Sequence, residues 1–260
     1  MAFSWQLCQS AFGRPSVRKI FLWNNYIIGY SVQGWDREME NEHQSFDPIE
    51  YVDAVYPDLP MMGAARARKF EQLIVDYDLK DTLELGFYKG KSSAYIGSIL
   101  KSLGRGHHTA IDMHYAEPHE PNIEEVMTKL ELTDYVTWYY EQQSYLWRLM
   151  RFLEKPEDNL FDFCYLDGGH VWDITGFGFM LVDRLLRPGG VIVFDDLDWT
   201  IEVGIPEARW PKYPDIDFRD RFMRTKQVKK VFELLAMSDQ NYECEIWNDD
   251  WGIARKKENS

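Results

Sequence analysis

The chain has 260 residues, of which 45% are hydrophobic, and this length suits one α/β domain with a sizeable core and a smaller appendage. Its 43 acidic and 29 basic side chains give a formal net charge of −14, which disfavours nucleic acid and membrane surfaces as partners. No apolar stretch reaches the roughly 18 residues that a membrane span needs, and the first residues lack a secretory pattern. Cys8, Cys164 and Cys244 are widely spaced and favour reduced thiols, so the composition predicts a cytoplasmic protein.

The first part of the chain has no sustained helical or strand period. Residues 1–60 are rich in Trp, Tyr, Asn and Pro, and we predict that they form an N-terminal cap. This cap is expected to serve in substrate recognition or in oligomerisation, for example as a homodimer interface. Residues 61–260 are predicted to form the main domain.

Helical and strand patterns alternate from residue 64 onward, which predicts a parallel sheet with helices on both faces. In chain order the predicted elements are helix Ala64–Tyr77, strand Thr82–Leu85, helix Ser92–Leu103, strand His108–Asp112, helix Ile123–Leu130, strand Val136–Tyr140, helix Tyr145–Leu153, strand Phe161–Leu166, helix Ile174–Leu186 and strand Val191–Phe194.

The C-terminal part breaks this alternation. A predicted helix at Gln227–Met237 precedes two strand-like runs, YECEIW and WGIARKK. Asn248, Asp249 and Asp250 separate these runs and favour a turn. The predicted fold is therefore a doubly wound, mostly parallel α/β sheet that is closed by a C-terminal antiparallel hairpin.

A turn with two glycines follows the first strand. Gly86 and Gly90 lie between this strand and the next helix, where glycine lets the backbone approach a ligand and the helix offers free N–H groups. The spacing from Glu84 to Ser92 is ExGxxxGxS, which lacks the dense glycines that suit a pyrophosphate. The turn predicts a nucleotide-like ligand, although such glycines also occur for structural reasons alone.

Two carboxylates complement this turn. Asp112 ends the second strand, where a carboxylate can accept both hydroxyls of a ribose, and the alternative is that it only forms a turn. Glu84, near the end of the first strand, is predicted to hold the ammonium group of an amino-acid moiety. Together they predict a ligand that contains a ribose and an amine.

These motifs resemble those of the class I S-adenosylmethionine-dependent methyltransferases, which have a Rossmann-like fold. The resemblance spans residues 64–256 and lies in LELGFYKGKSS, AIDMH, FDFCYLDGGH and LRPGGVIVFDD. It implies S-adenosylmethionine as the cofactor, with Asp112 on the ribose and Gln142, in the turn EQQS, at the adenine. The other cofactor-binding residues that it implies are Glu84, Gly86, Gly90, Ser92 and Asp167. Within the class, DGGH and PGGVIVFDD resemble the metal-dependent branch that includes the macrocin-type sugar O-methyltransferases.

Three carboxylates, Asp167, Asp195 and Asp196, follow the fourth and fifth strands. We expect them at the carboxyl edge of neighbouring strands, where open α/β sheets bind ligands. Such an oxygen-rich set predicts a site for Mg²⁺ or a similar divalent cation, because acids packed together without a cation repel each other. The alternative is that Asp196 caps a turn and a single acid faces the pocket.

His170 is the predicted general base. An alcohol is a poor nucleophile until its proton is removed, and an imidazole titrates near neutrality. Asp167 is predicted to share this role. The alternative is that His170 caps the helix that begins near Trp172. The other histidines, among them His108, are interpreted as surface or packing residues.

The sequence thus predicts an S-adenosylmethionine-dependent O-methyltransferase that acts on a hydroxyl of a small molecule, a sugar or another natural product. Two alternatives stay open, an NAD(P)-dependent oxidoreductase of the same fold and a catalytically silent binding module. The ExGxxxG turn argues against the first alternative, and the intact acids beside His170 argue against the second. Residues 197–220, with Trp199, Trp210 and Tyr213, are expected either to contact the acceptor or to pack on the core.

Overall fold

The structure, a computed structural model, describes residues 46–259 and the backbone of two short strands nearer the N-terminus, β1 (Leu22–Trp23) and β2 (Tyr26–Ile27). The chain divides into two compact units, Met1–Ser45 and Phe46–Ser260. In the first unit, β1 and β2 pair antiparallel. Most of the cap predicted over residues 1–60 lies outside the described residues, so its role stays a prediction, whereas residues 46–60 belong to the second unit.

The second unit alternates helices and strands much as predicted. None of the described helices is long and apolar enough to cross a membrane. The elements are α1 (Pro48–Val55), α2 (Ala64–Asp76), β3 (Asp81–Leu85), α3 (Lys91–Leu103), β4 (His107–Met113), α4 (Ile123–Lys129), β5 (Val136–Glu141), α5 (Tyr145–Leu153), β6 (Phe161–Leu166), α6 (Trp172–Leu185), β7 (Leu186–Phe194), α7 (Ile201–Gly204), α8 (Ile216–Arg224), α9 (Gln227–Val231) with a π-helical turn (Phe232–Ala236), β8 (Tyr242–Trp247) and β9 (Trp251–Lys256).

The strands of the second unit form one sheet in the order β5-β4-β3-β6-β7-β9-β8. The first five strands are parallel, and β9 pairs antiparallel with both β7 and β8. This topology confirms the predicted Rossmann-like fold with its C-terminal hairpin. The chain leaves β3 towards β4 on one side and returns at β6 on the other, so a topological switch point, where such sheets bind ligands, lies between β3 and β6.

The sheet is buried between two layers of helices. Helices α1 to α4 pack on one face, in a cluster that includes Phe70 and Tyr95, and α5, α6 and α9 pack on the other, in a cluster that includes Phe179. Along β7, Val193 belongs to the first cluster and Ile192 to the second. Both faces of this strand are buried, which explains why it reads as a continuous apolar run in the sequence.

Helix α1 is absent from the sequence prediction. It begins after Asp47, whose carboxylate accepts hydrogen bonds from the backbone N–H groups of Ile49 (2.9 Å) and Glu50 (3.1 Å). Ile49 and Val52 are fully buried and anchor the helix on the core. It lies in residues 1–60, which are predicted as a whole to form an irregular cap, and α7 and α8 begin in residues 197–220, which are interpreted as a Pro-rich connection.

Candidate active site

The turns after β3, β6 and β7 lie side by side at one edge of the sheet. Beyond the ends of the strands, the N–H of Asp167 donates to the carbonyl of Leu85 (2.9 Å), and the N–H of Asp195 donates to that of Leu166 (3.1 Å). These bonds extend the sheet by one residue on each strand. They bring the glycine turn and the predicted carboxylates to the switch point.

Gly86 and Gly90 shape the turn after β3. Both have φ in the left-handed region, +93° and +83°, which side-chain-bearing residues rarely adopt. A Cβ on Gly86 would overlap the carbonyl oxygen of Asp167, and one on Gly90 would lie 2.8 Å from Cγ1 of Ile123. Both glycines are therefore required here, and Gly86 lines the cavity together with Ser92 from the first turn of α3, whereas Gly90 packs against Ile123 outside the lining.

Asp112 fixes the conformation of this turn from the end of β4. Its Oδ2 accepts hydrogen bonds from the backbone N–H groups of Phe87 (2.9 Å) and Tyr88 (2.7 Å), and its Oδ1 accepts one from Met113 (2.6 Å). Burial raises the pKa of this carboxyl group against the lowering effect of these bonds. Asp112 also lines the cavity, so it holds the turn while remaining beside the space where a ligand would lie.

Glu84 lies in the protein interior near the end of β3. Its carboxylate is fully buried and accepts hydrogen bonds from the hydroxyls of Ser92 and Ser93, while Nε2 of His108 lies 3.0 Å away. Glu84 is not among the residues that line the cavity, so its contact with a ligand's ammonium group stays a prediction. His108, interpreted as a packing residue, instead joins a buried polar network with Glu84 and Thr82, whose Oγ1 lies 2.8 Å from its Nδ1.

Gln142 also lies apart from the cavity. It is exposed just after β5 and does not line the cavity, so the structure does not bring it to the other predicted site residues. At the end of β5, Glu141 turns instead towards Arg148, whose Nε donates to its carboxylate at 2.6 Å. The turn EQQS contains no glycine that would let the backbone approach a ligand closely, and a contact of Gln142 with the adenine stays a prediction.

Asp167, His170 and Asp196 form one group at the other end of the cavity. Nε2 of His170 lies 3.4 Å from Oδ1 of Asp167 and 3.2 Å from Oδ2 of Asp196. The three side chains are between 24% and 32% exposed and all line the cavity, so they are accessible to a ligand. Two neighbouring strands thus deliver two carboxylates to one imidazole, as the sequence predicts.

The charges of this group shift its proton affinities. Burial raises the pKa of Asp167 and of Asp196, and repulsion from Asp195 raises both further, while His170 opposes the shift. Burial alone would lower the pKa of His170, but the hydrogen bond to Asp167 and the charges of the neighbouring carboxylates outweigh it and raise the pKa. The group as a whole therefore attracts positive charge, whether protons or a cation.

Asp195 is separated from this group, although it adjoins Asp196 in the sequence. It is 3% exposed, and its carboxylate accepts hydrogen bonds from the Tyr165 hydroxyl, from Nη1 of Arg66 (3.2 Å), from Nε1 of Trp251 (2.7 Å) and from the backbone N–H of Asp196 (2.7 Å). Asp195 also lines the cavity, but its carboxylate is held by these donors, and the set of ligand atoms that includes His170 comprises Asp167 and Asp196 and not Asp195.

His170 does not serve as a helix cap. The N–H of Trp172, at the start of α6, donates to the side chain of Gln227 at 2.8 Å, and the ring of His170 packs against that of Trp199 with centroids 4.9 Å apart. Trp199 thus borders the site, as one of the two interpretations of residues 197–220 expects. Tyr213 packs on Phe218 of the same segment, with ring centroids 5.1 Å apart, and both side chains are exposed, so this contact does not join the core.

One cavity of about 470 Å³ connects the glycine turn with the Asp167 group. Its lining includes Ser92 and Asp112 at one end and His170 and Asp196 at the other. A volume of this order suits a cofactor-sized ligand, and pockets of small-molecule enzymes span about 300–1,000 Å³. The cavity lies at the switch point of the sheet, so fold and site agree.

Residues 83–197 match the family described as a methyltransferase domain, and this range contains the glycine turn, Asp112 and the Asp167 group. These residues thus correspond to a methyltransferase domain, and the sheet that carries them has the Rossmann-like fold. A comparison with curated proteins finds no match.

Solved structures share the fold of this methyltransferase domain at low sequence identity. A Staphylococcus aureus protein assigned as a caffeoyl-CoA O-methyltransferase has a TM-score of 0.58 at 19% identity, over 82% of this chain and 94% of that chain. An O-methyltransferase from Bacillus cereus, in complex with S-adenosylhomocysteine, has a TM-score of 0.56 at 16% identity, over 81% and 90%. The O-methyltransferase TomG from Streptomyces achromogenes, in complex with S-adenosylmethionine, has a TM-score of 0.54 at 17% identity, over 82% and 90%.

The donor set of the methyltransferase site fits a divalent cation. One ligand atom each from Asp167, His170 and Asp196 lie within 4.8 Å of one another, and carboxylate oxygens with an imidazole suit ions such as Mn²⁺ or Mg²⁺. Among the described residues a second such group contains Asp195, Asp196 and Asp250. Arg66 forms ion pairs with both Asp195 and Asp250, so the cation that this second group needs is already supplied by the protein.

Sequence reasoning missed three residues of the methyltransferase site. Arg66 and Trp251 reach Asp195 from 129 and 56 residues away, and no local motif announces such contacts. His108 stands 24 residues from Glu84 but reaches it diagonally on one face of the sheet, because β3 and β4 pair with Thr82 opposite His108. The strand register, once predicted, is the one signal that pointed to His108.

Proposed function

We propose that this methyltransferase transfers a methyl group from S-adenosylmethionine to a hydroxyl of a small polar molecule, a sugar or another natural product, with the assistance of a divalent cation. The observation that carries the proposal is the cavity that joins the glycine turn to Asp167, His170 and Asp196. One end offers backbone and a carboxylate for the cofactor. The other offers a base and carboxylates for the reaction.

The cofactor end would be formed by Gly86, Gly90, Ser92 and Asp112. Free N–H groups at the start of α3 and the close backbone at Gly86 suit the methionine part. Asp112 retains one acceptor position, on Oδ1, that can accept from a ribose hydroxyl. Glu84 would act here indirectly, by fixing Ser92 through its buried hydrogen bond. Asp167 also borders this end, because its backbone contacts the turn at Gly86.

The acceptor end would supply the base. When bound, the cofactor supplies an electrophilic methyl group and the cation supplies positive charge that favours the deprotonated acceptor oxygen. Nε2 of His170 would accept the proton of the acceptor hydroxyl, so that the oxygen becomes a competent nucleophile for the methyl group. Asp167 and Asp196 stabilise the imidazolium that results.

The two predicted roles near His170 compete for one atom. Nε2 is the nitrogen that faces both carboxylates, and a nitrogen that binds a cation cannot also accept a proton. We therefore assign the cation to Asp167 and Asp196 and the proton to His170. O-methyltransferases among the structural neighbours support the choice of an oxygen acceptor.

We also propose a cellular compartment and a class of acceptor for this methyltransferase. Cys164 is buried and Cys244 is free, which suits a reducing compartment such as the cytoplasm. The net charge of −14 argues for a small-molecule acceptor over nucleic acid. We retain the proposal that residues 1–60 contribute to acceptor recognition or to a homodimer.

Thermal shift and methyl-transfer assays test this function. S-adenosylhomocysteine should raise the melting temperature and NAD should not, because a ligand stabilises a protein whose native state it binds. A panel of sugars and hydroxylated natural products, offered with methyl-labelled S-adenosylmethionine, should yield a labelled ether, and EDTA should reduce the yield. Stabilisation by NAD alone would favour the oxidoreductase, and undiminished transfer in EDTA would remove the cation.

A further inference from the structure

The carboxylate of Asp195 has no free lone pair in this structure. An ionised carboxylate has about four acceptor positions, two on each oxygen. Oδ1 accepts from Nε1 of Trp251 and from the N–H of Asp196, each at 2.7 Å, and Oδ2 accepts from the Tyr165 hydroxyl and from Nη1 of Arg66. All four positions are occupied by protein donors, although the side chain stands next to the reacting group in the sequence.

These donors come from three elements that enclose the end of β7. Arg66 lies on α2, Tyr165 on β6 and Trp251 on β9. Trp251 is fully buried and stacks on Phe70 with ring centroids 4.9 Å apart, so its indole N–H has little freedom to turn away. Tyr165 and Trp251 are part of the core, and Arg66 reaches Asp195 from α2 with a partly exposed side chain.

Asp196 depends on this arrangement. Its φ is +57°, in the left-handed region that non-glycine residues rarely adopt, and its N–H is the one that donates to Asp195. With the backbone held in this way, Oδ2 of Asp196 lies 3.2 Å from His170. A change at Asp195 would therefore reach the reacting group through Asp196.

We infer that Asp195 is a positioning residue and not a cation ligand, and that Trp251, Tyr165 and Arg66 hold it so that Asp196 faces Asp167 and His170. The inference rests on the proposed cation site at Asp167 and Asp196. It gives the C-terminal hairpin a part in the reaction, because β9 supplies the indole N–H that anchors Asp195.

The substitution Trp251→Phe tests the inference, because it removes this N–H and keeps an aromatic ring and the charge. Trp247→Phe is the matched control, since Trp247 packs on Trp251 at 5.2 Å but is not among the donors to Asp195. Calorimetric titration with Mn²⁺ should show an affinity about 10-fold lower for Trp251→Phe, in the range typical of residues that orient ligands. The control should stay within about twofold of the wild type.

An unchanged or higher Mn²⁺ affinity of Trp251→Phe would overturn the inference. If Asp195 were itself a ligand, freeing one of its lone pairs would leave Mn²⁺ affinity unchanged or raise it. Tyr165→Phe, which frees a lone pair on the other oxygen, should lower the affinity in the same direction as Trp251→Phe. Stabilisation of each variant by S-adenosylhomocysteine serves as the check on folding.

A wild-type protein that binds no Mn²⁺ would refute the cation part of the proposed function. Crystal structures of the wild type and Trp251→Phe then decide the inference by themselves. It predicts that the Asp196 carboxylate leaves hydrogen-bonding distance of His170 in the variant. An Asp196 carboxylate that stays in place would overturn it.

Discussion

The two ends of the cavity are built by different means. At the cofactor end, Gly86 and Gly90 set the shape through backbone conformation, and Asp112 holds the turn through backbone N–H groups. At the acceptor end, His170 and Asp196 depend on side chains that other side chains orient. The first end is therefore intolerant of added volume, whereas the second is sensitive to lost hydrogen bonds and charges.

Gly86→Ala should have the largest effect. The new Cβ meets the backbone of Asp167, which cannot move without shifting β6, and φ stays at +93°. Left-handed strain and overpacking together should destabilise the fold by more than about 3 kcal/mol and abolish binding of S-adenosylhomocysteine. Chemical denaturation and calorimetric titration measure the two effects.

Gly104→Ala is the control for this comparison. Gly104 also has a left-handed φ, +63°, but a Cβ there would have no heavy atom within 4 Å. It should lose about 1 kcal/mol from strain alone and bind the cofactor product normally. Equal losses in the two variants would show that backbone approach at Gly86 is unimportant.

His170→Ala should lower kcat by about 100-fold while S-adenosylhomocysteine still binds, because a general base contributes to the reaction and not to the cofactor end. His114→Ala, at an exposed histidine, is its control. A variant that keeps its turnover would remove His170 from the mechanism.

The wild-type pH profile gives a second measure of His170. Without a cation, the neighbouring carboxylates raise its pKa above the ordinary value of 6.5. A cation on Asp167 and Asp196 would oppose this rise, so the acidic limb of the profile should move to lower pH when the cation is added. Since the base must be unprotonated, kcat should fall by about tenfold per pH unit below the raised pKa and level off above it. A profile without this limb would contradict the assignment.

Asp112→Asn should weaken binding of S-adenosylhomocysteine by about 10-fold, because an amide N–H₂ would oppose one of the backbone N–H groups that the carboxylate accepts. Calorimetric titration measures this loss, and kcat at saturating cofactor should change much less. A reduced kcat at full affinity would place Asp112 with the acceptor end instead.

Gln142→Ala should have the smallest effect, since Gln142 is exposed and lies apart from the cavity. Its affinity for S-adenosylhomocysteine should stay within about twofold of the wild type. A larger loss would show that the cofactor end extends to the turn after β5, as the sequence resemblance implies.

Local patterns account for most of what the sequence predicts correctly. Apolar runs in the sequence predict β6 and β7, and Asp167 and Asp196 follow these runs. Because the carboxyl ends of parallel strands lie at the same edge of a sheet, the sequence predicts that both residues lie at one edge. Helix α1 is not predicted, because it lies in a stretch of the sequence without a sustained helical period of apolar residues. The end of a predicted strand thus indicates at which edge of the sheet the following residue lies.

Long-range partners account for what the sequence could not predict. Asp195 and Asp196 are equivalent in a sequence pattern, and contacts with Arg66 and Trp251 distinguish them. The carboxylate of Glu84 is hydrogen-bonded to hydroxyls of α3 and lies beside His108 on the neighbouring strand. The sequence pattern of a strand does not indicate whether a hydrogen-bond donor from another element already binds a carboxylate.

The hydrogen bond from Trp251 to Asp195 bears on how the enzyme is made. The ribosome adds Trp251 56 residues after Asp195, and β9 must then insert between β7 and β8. A nascent chain that ends before β9 already contains the glycine turn and Asp112, but its Asp195 lacks one anchor. Synthesis from the N-terminus thus assembles the reacting end of the cavity last.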